Sequence, residues 1–521
     1  MKLLKFKLLS DYKIFKKGFK ISFEKDYILV VTGLNGSGKS ILFEMILKTF
    51  INSQDLIRSK LENQNLKFDR ENEKQELEFD FNIEYLLSTS NIISYFVKEQ
   101  IEEIGQGNVI VYISYSNKKI SFEVRSELTN KLLIKDKFEI FESFLPNKIV
   151  AYSSGQNETL SWPIYKYNIK RFSYYYREML KDNMTYIEDK KFIFLDEKYK
   201  YSNLITNLIF NLDKLQKINS VIGIKQIKSY MFDLELKDQR KREIKLPADK
   251  EFLIKKLIGL SKVVPSTNYR ITCRYDLNIN NTKKIEEEFM GNSKSFFNIL
   301  EFMEDINLYK IRPRQLNMQH NKNENGFRKI CNSYVDGRKV FEIYNVKVET
   351  YNNLNININD ISDGEFQLLQ IVGAICIYDD DNTLFLFDEP ESHFNSKWRA
   401  NFVDYISSLI NKKSQIIFTT HNLEILTDIR KEYIYLLENG NIQNIQMETF
   451  GTNTTLIGAE LFKKGRSISN VAYRKYKEYV DQIKESNIQN LNKIEEDILS
   501  NFGDSAERIL LFYEINRRRE K

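Results

Sequence analysis

The sequence predicts an α/β fold built around a phosphate loop, and three observations carry this prediction. A buried-strand run, YILVV at 27–31, leads into the glycine-rich segment GLNGSGKS at 33–40, and an apolar helix over 41–50 follows it. Two further apolar runs, LFLF at 384–387 and QIIF at 415–418, end in polar residues as the strands of such folds do. Most of the chain separates the first segment from the other two, so the residues that follow these strands come together only when the chain folds.

Length and patterning divide the chain into four segments. A chain of 521 residues is long enough for two or three domains. Strand-like stretches around 77–86, 109–124 and 147–152 predict an antiparallel β lobe beside the phosphate loop. Helix-like apolar blocks predict a mainly helical insertion, and the alternation at 339–349 predicts strands that return to the first fold. The predicted division is an N-terminal lobe (1–165), the insertion (166–335), a C-terminal lobe (336–455) and a helical tail (456–521).

Composition indicates a folded protein of a reducing compartment. Hydrophobic residues make up 42% and charged residues 29% of the chain, which is the balance of a globular protein. The net charge of +6 is too small to indicate a basic, nucleic-acid-binding surface over the whole protein. Three separated cysteines without a CxxC pair predict neither a disulfide framework nor a zinc site. Because residues 4–8 alternate and no apolar run reaches the roughly 20 residues of a membrane span, we expect a cytoplasmic protein.

The glycine-rich segment has the spacing of a phosphate-binding loop. It fits the pattern Gly-x4-Gly-Lys-Ser, with Gly33, Gly38, Lys39 and Ser40 at the fixed positions. Glycines let backbone amides converge on phosphate oxygens, and the helix that follows presents its positive N-terminus to the same anion. We expect Lys39 on the β- and γ-phosphates and the Ser40 hydroxyl on Mg²⁺. The other predicted nucleotide contacts in this loop come from Asn35, Gly36 and Ser37.

An acidic pair and a histidine follow the two later strands. Asp388 and Glu389 end the run LFLF, at the strand terminus where α/β sheets place their sites. We expect Asp388 to hold Mg²⁺ or its water shell and Glu389 to act as the base or positioner for an attacking water. His421 ends TTH after QIIF, where its imidazole can reach the γ-phosphate. An acidic pair after an apolar run is also a common strand end, and the phosphate loop upstream is what favours the functional interpretation.

The segment ISDGEFQ at 361–367 distinguishes this chain from ordinary AAA and kinase-type phosphate-loop proteins. Ser362 and the Gly364 backbone begin a predicted apolar helix at 366–377 and form a second anion-binding helix terminus. An ordinary capping box of Ser362 with Glu365 fits the same residues, and both interpretations can hold together. Gln156, in a polar loop after the strand KIVAY, is the candidate for a glutamine that senses Mg²⁺ and the water.

The chain resembles the ABC-type ATPase heads of the SMC/RecF/OLD group through four segments taken in order. These segments are GLNGSGKS (33–40), AYSSGQNETLS (151–161), ISDGEFQLLQ (361–370) and FDEPESHF (387–394). Within that group the chain is most similar to restriction-system-associated AAA family ATPases, relatives of the ATPase subunits of anti-phage systems such as Septu. The resemblance covers about 1–160 and 350–450 specifically, and the insertion and tail only loosely.

The resemblance implies a Mg²⁺-dependent ATPase that forms a homodimer through its heads when ATP binds. In such heads the helix terminus formed by Ser362, Gly364 and Glu365 binds the γ-phosphate held by the other subunit. A separate effector, often a nuclease, and a role in phage defence or genome maintenance are also implied. Two departures stand out, because Asp363 replaces a glycine of transporter-type signatures and no clear Asp follows Glu391 in the coupling loop. The roughly 65 residues after 456 are too few for an OLD-type nuclease domain, so we expect no intrinsic nuclease.

Three hypotheses about function remain open on these grounds. The leading one is an ATPase subunit of a bacterial anti-phage defence complex, whose nucleotide state restrains or releases its effector. The first alternative is a RecF-type DNA repair ATPase, for which salt-sensitive, ATP-dependent DNA binding would be the discriminating property. The second is a scaffold that binds ATP and hardly hydrolyses it. A transporter subunit is disfavoured because the insertion separates the motifs too widely.

Overall fold

The computed structural model describes most of the chain, namely residues 1–65, 77–105, 107–155, 158–180, 189–237, 243–267, 270–310, 339–463 and 468–519. Within these ranges the chain forms two compact units. The first comprises Met1–Ile425 and Glu432–Asn444, and the second comprises Leu426–Lys431 and Ile445–Lys521. No helix in the described ranges combines the length and the apolar composition that crossing a membrane requires.

The first unit contains both strands and helices, and helices dominate the second. The strands of the described ranges are β1 (Lys2–Leu8), β2 (Lys20–Ser22), β3 (Ile28–Thr32), β4 (Phe81–Leu87), β5 (Val109–Ser116), β6 (Lys119–Ser126), β7 (Leu132–Lys135), β8 (Lys148–Ser153), β9 (Phe192–Phe194), β10 (Ile224–Leu234), β11 (Lys262–Thr267), β12 (Arg270–Asp276), β13 (Phe341–Thr350), β14 (Asn355–Asn357), β15 (Thr383–Asp388), β16 (Gln415–Thr419), β17 (Ile434–Glu438) and β18 (Asn441–Gln443). The α-helices are α1 (Lys39–Asn65), α2 (Lys98–Ile104), α3 (Glu158–Leu180), α4 (Lys200–Phe210), α5 (Gln216–Ile222), α6 (Ala248–Gly259), α7 (Ile279–Glu288), α8 (Ser293–Asp305), α9 (Asp363–Tyr378), α10 (Ser396–Arg399), α11 (Phe402–Leu409), α12 (Leu423–Leu426), α13 (Thr454–Phe462), α14 (Asn470–Glu485), α15 (Ile488–Asn501) and α16 (Ala506–Arg519).

A seven-stranded mixed sheet forms the centre of the first unit, in the order β18-β17-β3-β16-β15-β8-β9. All neighbours are parallel except β17 and β18, which are antiparallel. Strands β3, β15 and β16 are buried along their whole length, as expected for parallel strands that are apolar on both faces. Because these three strands are parallel neighbours, the residues that follow each of them lie at one edge of the sheet.

The predicted antiparallel β lobe is a six-stranded sheet in the order β2-β1-β4-β5-β6-β7. Buried and partly exposed residues alternate along β5, so one face of this sheet packs on a core. Phe50 of α1 and Tyr85 of β4 meet edge to face in that core, with ring centroids 5.3 Å apart. The sequence analysis placed the stretch 147–152 in this lobe, and that prediction is wrong. The stretch forms β8, which pairs in parallel with β15 in the central sheet.

The insertion is mainly helical, as predicted, and it also contributes strands to a third sheet. This antiparallel sheet has the order β11-β12-β10-β13-β14. Strand β13, which the sequence analysis expected to return to the first fold, instead pairs with β10 of the insertion, for example Leu234 with Phe341. Alternation of apolar residues identifies a strand but carries no information about its partner, which explains the difference.

Helix α4 of the insertion packs directly on α9, the helix that follows the ISDGEFQ segment. The Asn203 side-chain amide donates to the Gln370 carbonyl oxygen at 2.9 Å, and Asn207 donates to the Asn203 amide oxygen at 2.7 Å. A Cβ atom at Gly373 would stand only 2.3 Å from the Asn203 side-chain oxygen. The absence of a side chain at Gly373 therefore lets the two helices approach closely.

The second unit has its own small core and matches the predicted helical tail. Its buried residues come from helices α14, α15 and α16 and from Phe502, which directly follows α15; those in the helices are Tyr479, Ile483, Leu491, Ile498, Leu511 and Ile515. The buried Tyr479 ring keeps its hydroxyl satisfied by donating to the Asp497 carboxylate at 2.8 Å.

Candidate functional site

The phosphate loop connects β3 to α1, and glycines determine its shape. Gly33, Gly36 and Gly38 have positive φ angles of 148°, 81° and 105°, which residues with side chains rarely adopt. A Cβ atom at Gly33 would stand 2.2 Å from the Leu437 carbonyl oxygen, so only glycine fits between the loop and β17. The loop therefore turns tightly into the N-terminus of α1, as a backbone cradle for an anion requires.

Lys39 begins α1, and its side chain turns back over the loop. Its Nζ donates to the Gly33 carbonyl oxygen at 2.9 Å and lies 4.0 Å from the nearest carboxylate oxygen of Glu389. Burial lowers the pKa of Lys39, and the negative charges of Glu389 and Asp388 oppose that shift. An ammonium group held by a neutral carbonyl can exchange that acceptor for phosphate oxygens, since hydrogen bonds between charged groups are stronger.

The side chains of Asp388, at the end of β15, and Ser40, in α1, bring together oxygen atoms that could serve as metal ligands. The Ser40 hydroxyl donates to Asp388 Oδ2 at 2.7 Å, and the Thr419 hydroxyl donates to Asp388 Oδ1 at 2.6 Å. Burial raises the pKa of Asp388, while these two hydrogen bonds act in the opposite direction. One carboxylate and one hydroxyl, with phosphate and water oxygens completing the shell, fit the way Mg²⁺ is bound in nucleotide enzymes. The described residues contain no cluster of three or more His, Cys, Asp or Glu that could hold a metal alone.

Glu389 stands in a strained turn beside His421. Its backbone φ is 49°, in the left-handed region, which costs about 1–2 kcal/mol for a residue with a side chain. The Glu389 amide donates to the Thr419 carbonyl at 3.2 Å and lies 3.0 Å from the Thr419 hydroxyl, and these contacts hold the turn against the end of β16. Glu389 Oε1 lies 3.1 Å from His421 Nδ1. The carboxylate thus has a fixed direction, which a base or water-positioning group needs.

A further contact between the two strand ends joins Glu391 to Thr420. The Thr420 hydroxyl donates to Glu391 Oε1 and accepts a hydrogen bond from the Asn422 amide at 2.9 Å. Sequence reasoning missed Glu391, Thr419 and Thr420, although the two threonines directly before His421 carried the signal. Hydroxyl groups buried at a strand end require acceptors, and the acidic residues after β15 provide them.

The titration of Glu391 should make the stability of the protein depend on pH. Burial raises the pKa of Glu391 from its ordinary 4.5 to about 7. Between these values the folded chain keeps a proton that the unfolded chain has released, so stability falls as pH rises from about 5 to about 7. We expect wild-type protein to lose up to roughly 3 kcal/mol across this window from Glu391 alone. A Glu391→Gln variant lacks this component.

The measurement is the difference in thermal unfolding midpoint between the Glu391→Gln variant and the wild type. The midpoint of the variant should rise relative to that of the wild type as the pH is increased from 5 to 8. A difference that stays constant over that range would show that the Glu391 carboxyl does not carry the proton.

The ISDGEFQ segment forms a capped helix start that is tied to the loop after β15. The Ser362 side chain accepts from the Glu365 amide, and the Ser362 amide donates to the Glu365 carboxylate at 2.7 Å, so the predicted capping box is present. Gly364 cannot carry a side chain, because its Cβ would stand 2.4 Å from the His393 carbonyl oxygen. Gln367 accepts from the His393 amide at 3.2 Å and donates to the Tyr152 hydroxyl at 2.8 Å.

The structure places the predicted residues in two groups. The first group lies together at the edge of the central sheet and comprises the loop 33–40, Asp388, Glu389 and His421. The second group is the α9 terminus, where Ser362 and Glu365 are hydrogen-bonded to each other and Gly364 lies against the His393 carbonyl oxygen in the loop after Glu391. Gln156 lies outside the described residues.

Solved structures of SMC heads are among those similar to this chain. The SMC head domain from Thermotoga maritima is 10% identical, with 86% of this chain and 100% of that chain covered and a TM-score of 0.33. The head with an extended coiled coil bound to the C-terminal domain of ScpA, derived from Pyrococcus furiosus, is 15% identical, with 86% and 96% covered and a TM-score of 0.31. The head with a coiled coil and joint derived from Pyrococcus yayanosii is 13% identical, with 89% and 99% covered and a TM-score of 0.33.

A protein family also matches a defined region of the chain. Residues 112–427, more than half of the sequence, match the family described as "AAA domain, putative AbiEii toxin, Type IV TA system". The matched region includes the α9 terminus, Asp388, Glu389 and His421, whereas the phosphate loop at 33–40 lies before it in the chain. The chain therefore belongs to this family of AAA-type ATPase domains.

Proposed function

We propose that this chain is a Mg²⁺-dependent ATPase of the ABC type, two copies of which close on ATP. One observation carries the catalytic part of the proposal, namely the convergence of five side chains at one edge of the central sheet. Ser40 and Asp388 are 2.7 Å apart, Lys39 and Glu389 are 4.0 Å apart, and Glu389 and His421 are 3.1 Å apart. Hydroxyl, carboxylate, ammonium and imidazole groups at these distances are the set that phosphoryl transfer to water uses.

Each side chain has a separate task in this proposal. Mg²⁺ bound to Ser40 and Asp388 would neutralise charge on the β- and γ-phosphates. Lys39 would bind the same phosphate oxygens in place of the Gly33 carbonyl. Glu389 would orient the attacking water and accept its proton, and His421 keeps the Glu389 carboxylate pointing to that position.

The closure of two copies is supported by the state of the α9 terminus. Ser362 is exposed, and its capping hydrogen bonds leave the positive end of a 16-residue helix at the surface. Such a terminus binds an anion readily. In a symmetric pair of chains, each α9 terminus would meet the γ-phosphate in the phosphate loop of the other copy, because a two-fold interface uses the same surface twice.

We further propose that the ATPase acts in anti-phage defence and controls a separate effector, such as a nuclease. The similarity of residues 361–370 and 387–394 to restriction-system-associated ATPases supports this assignment. The family description also supports it, since that description names a toxin of a TA system. A nucleotide-dependent change in the dimer would then restrain or release the effector.

Phosphate release by the purified chain tests the catalytic part of the proposal. We expect release from ATP in the presence of Mg²⁺, none after addition of EDTA, and none from a Lys39→Ala variant. Tight ATP binding without release, even in the presence of the effector, would replace the ATPase with an ATP-binding scaffold. The defence assignment is tested separately by phage plaque counts on cells that carry this gene with its neighbours. Absence of protection by the wild-type genes would contradict that assignment, and protection that persists unchanged in Lys39→Ala would show that defence does not depend on ATP.

A further inference from the structure

Glu391 is a buried acid that the catalytic scheme above does not use. It lies two residues after Glu389, with Pro390 between them, and its side chain is 2% exposed. Its Oε1 accepts the Thr420 hydroxyl. In the described part of the chain, its Oε2 is buried without a hydrogen-bond partner. A buried carboxyl with one unsatisfied oxygen costs stability, so packing alone does not explain an acid at this position.

The position of Glu391 relative to the strained turn gives it a geometrical role. The turn at Glu389 is held on its N-terminal side by the contacts of the Glu389 amide with Thr419. On the other side of Pro390, the Glu391 side chain is attached to Thr420, the next residue of the same strand end. The proline fixes its own φ, so the short segment between the two attachments has little freedom.

The second attachment also restrains the segment that contains His421. Thr420 is fixed from three directions, because its amide donates to the Val31 carbonyl at 3.2 Å and its carbonyl accepts from the Thr32 hydroxyl at 2.8 Å. Its hydroxyl completes the set by contacting Glu391 and the Asn422 amide. The side chain of Thr420 therefore connects the turn at Glu389 to the chain on both sides of His421.

We propose that Glu391 is a positioning residue for ATP hydrolysis, which holds the Glu389 carboxylate and the His421 imidazole in register through its hydrogen bond with Thr420. This inference rests on the proposed function, because it assigns a task within that reaction. Glu391 contacts neither the nucleotide nor the water in this account. It acts through Thr420 and through the backbone of the turn.

Paired variants of the two partners test the proposal in the full-length chain. Glu391→Ala and Thr420→Val each remove one side of the hydrogen bond, whereas Glu391→Gln keeps the acceptor oxygen and Thr420→Ser keeps the hydroxyl. We expect kcat to fall about 100-fold in the first pair, the scale of a misplaced catalytic group, with unchanged affinity for a fluorescent ATP analogue. The second pair should stay within about tenfold of wild type, since the positioning contact remains.

The outcomes separate a positioning role from a merely structural one. Equal losses in Glu391→Ala and Glu391→Gln, or wild-type kcat in Glu391→Ala, would overturn the proposal. If Glu391→Ala does not fold, the Thr420→Val and Thr420→Ser pair decides the question by the same criteria.

Hydrogen–deuterium exchange distinguishes failure of this inference from failure of the proposed function. In Glu391→Ala, or in Thr420→Val, exchange should rise in the peptides that contain the Glu389 and Asn422 amides, whether or not the protein hydrolyses ATP. Increased exchange in these variants, together with no ATPase activity in the wild-type chain, would refute the proposed function but not the restraint that the Glu391–Thr420 hydrogen bond places on the turn. Unchanged exchange in both peptides would refute the positioning role itself.

Discussion

A Glu389→Gln variant should bind ATP as the wild type does and lose at least about 100-fold in kcat, the smaller end of the contribution of a general base. Glutamine has the same shape as glutamate, so the contact with His421 and the strained turn at φ 49° should persist. What disappears is the negative charge that would orient the water and take its proton. Because Lys39 and Ser40 are untouched, affinity for ATP should remain.

This prediction is tested by measuring both the ATP turnover of the variant and its mass in solution. With ATP and Mg²⁺, the slow variant should accumulate as a species of twice the 62.0 kDa of one chain, since hydrolysis no longer opens the dimer. Glu391→Gln provides a matched comparison, because the same chemical change two residues away should keep kcat within about tenfold of wild type. Wild-type turnover in Glu389→Gln would remove Glu389 from its assigned role.

A Ser362→Asp variant should lose turnover to a similar extent for a different reason. Aspartate and serine are comparably good N-caps, so α9 should still begin at residue 363. The new carboxylate would nevertheless place a negative charge where the γ-phosphate of the partner copy is expected to bind. Loss of an electrostatic contact to the transition state costs about 100-fold or more. ATP should still bind to the phosphate loop of each separate chain.

Ser362→Asn is the control that isolates charge from shape. Asparagine caps a helix as well as aspartate does and carries no charge, so this variant should keep far more activity than Ser362→Asp. Turnover and ATP-dependent mass are measured for both. Equal activity in the two variants would mean that no anion approaches the α9 terminus during the reaction.

The parts of the site that the sequence predicted are those encoded within a few consecutive residues. The phosphate loop requires glycines, lysine and serine at fixed spacing, and an apolar run followed by Asp388 and Glu389 defines a strand and its end. The capping box of Ser362 and Glu365 is similarly local. Such signals depend on neighbours along the chain, so they can be identified before the fold is known.

The parts that the sequence did not predict depend on contacts between distant residues. The pairing of β13 with β10 and the place of β8 in the central sheet are choices of partner, which apolar alternation does not specify. The same holds for Glu391, whose partner Thr420 belongs to another strand end. Its environment becomes visible only when β15 and β16 lie side by side.

A mixture of two inactive variants tests most directly whether two copies of this chain share each ATP. The first variant, Lys39→Ala, loses the phosphate contact in its own loop. The second variant, Ser362→Asp, loses the α9 terminus that it would offer to its partner. In a randomly formed two-fold dimer about half of the pairs are mixed and each mixed pair has one intact site, so mixing should restore about a quarter of wild-type turnover. Turnover that stays at the level of the separate variants, under conditions where mixed pairs form, would contradict the shared site.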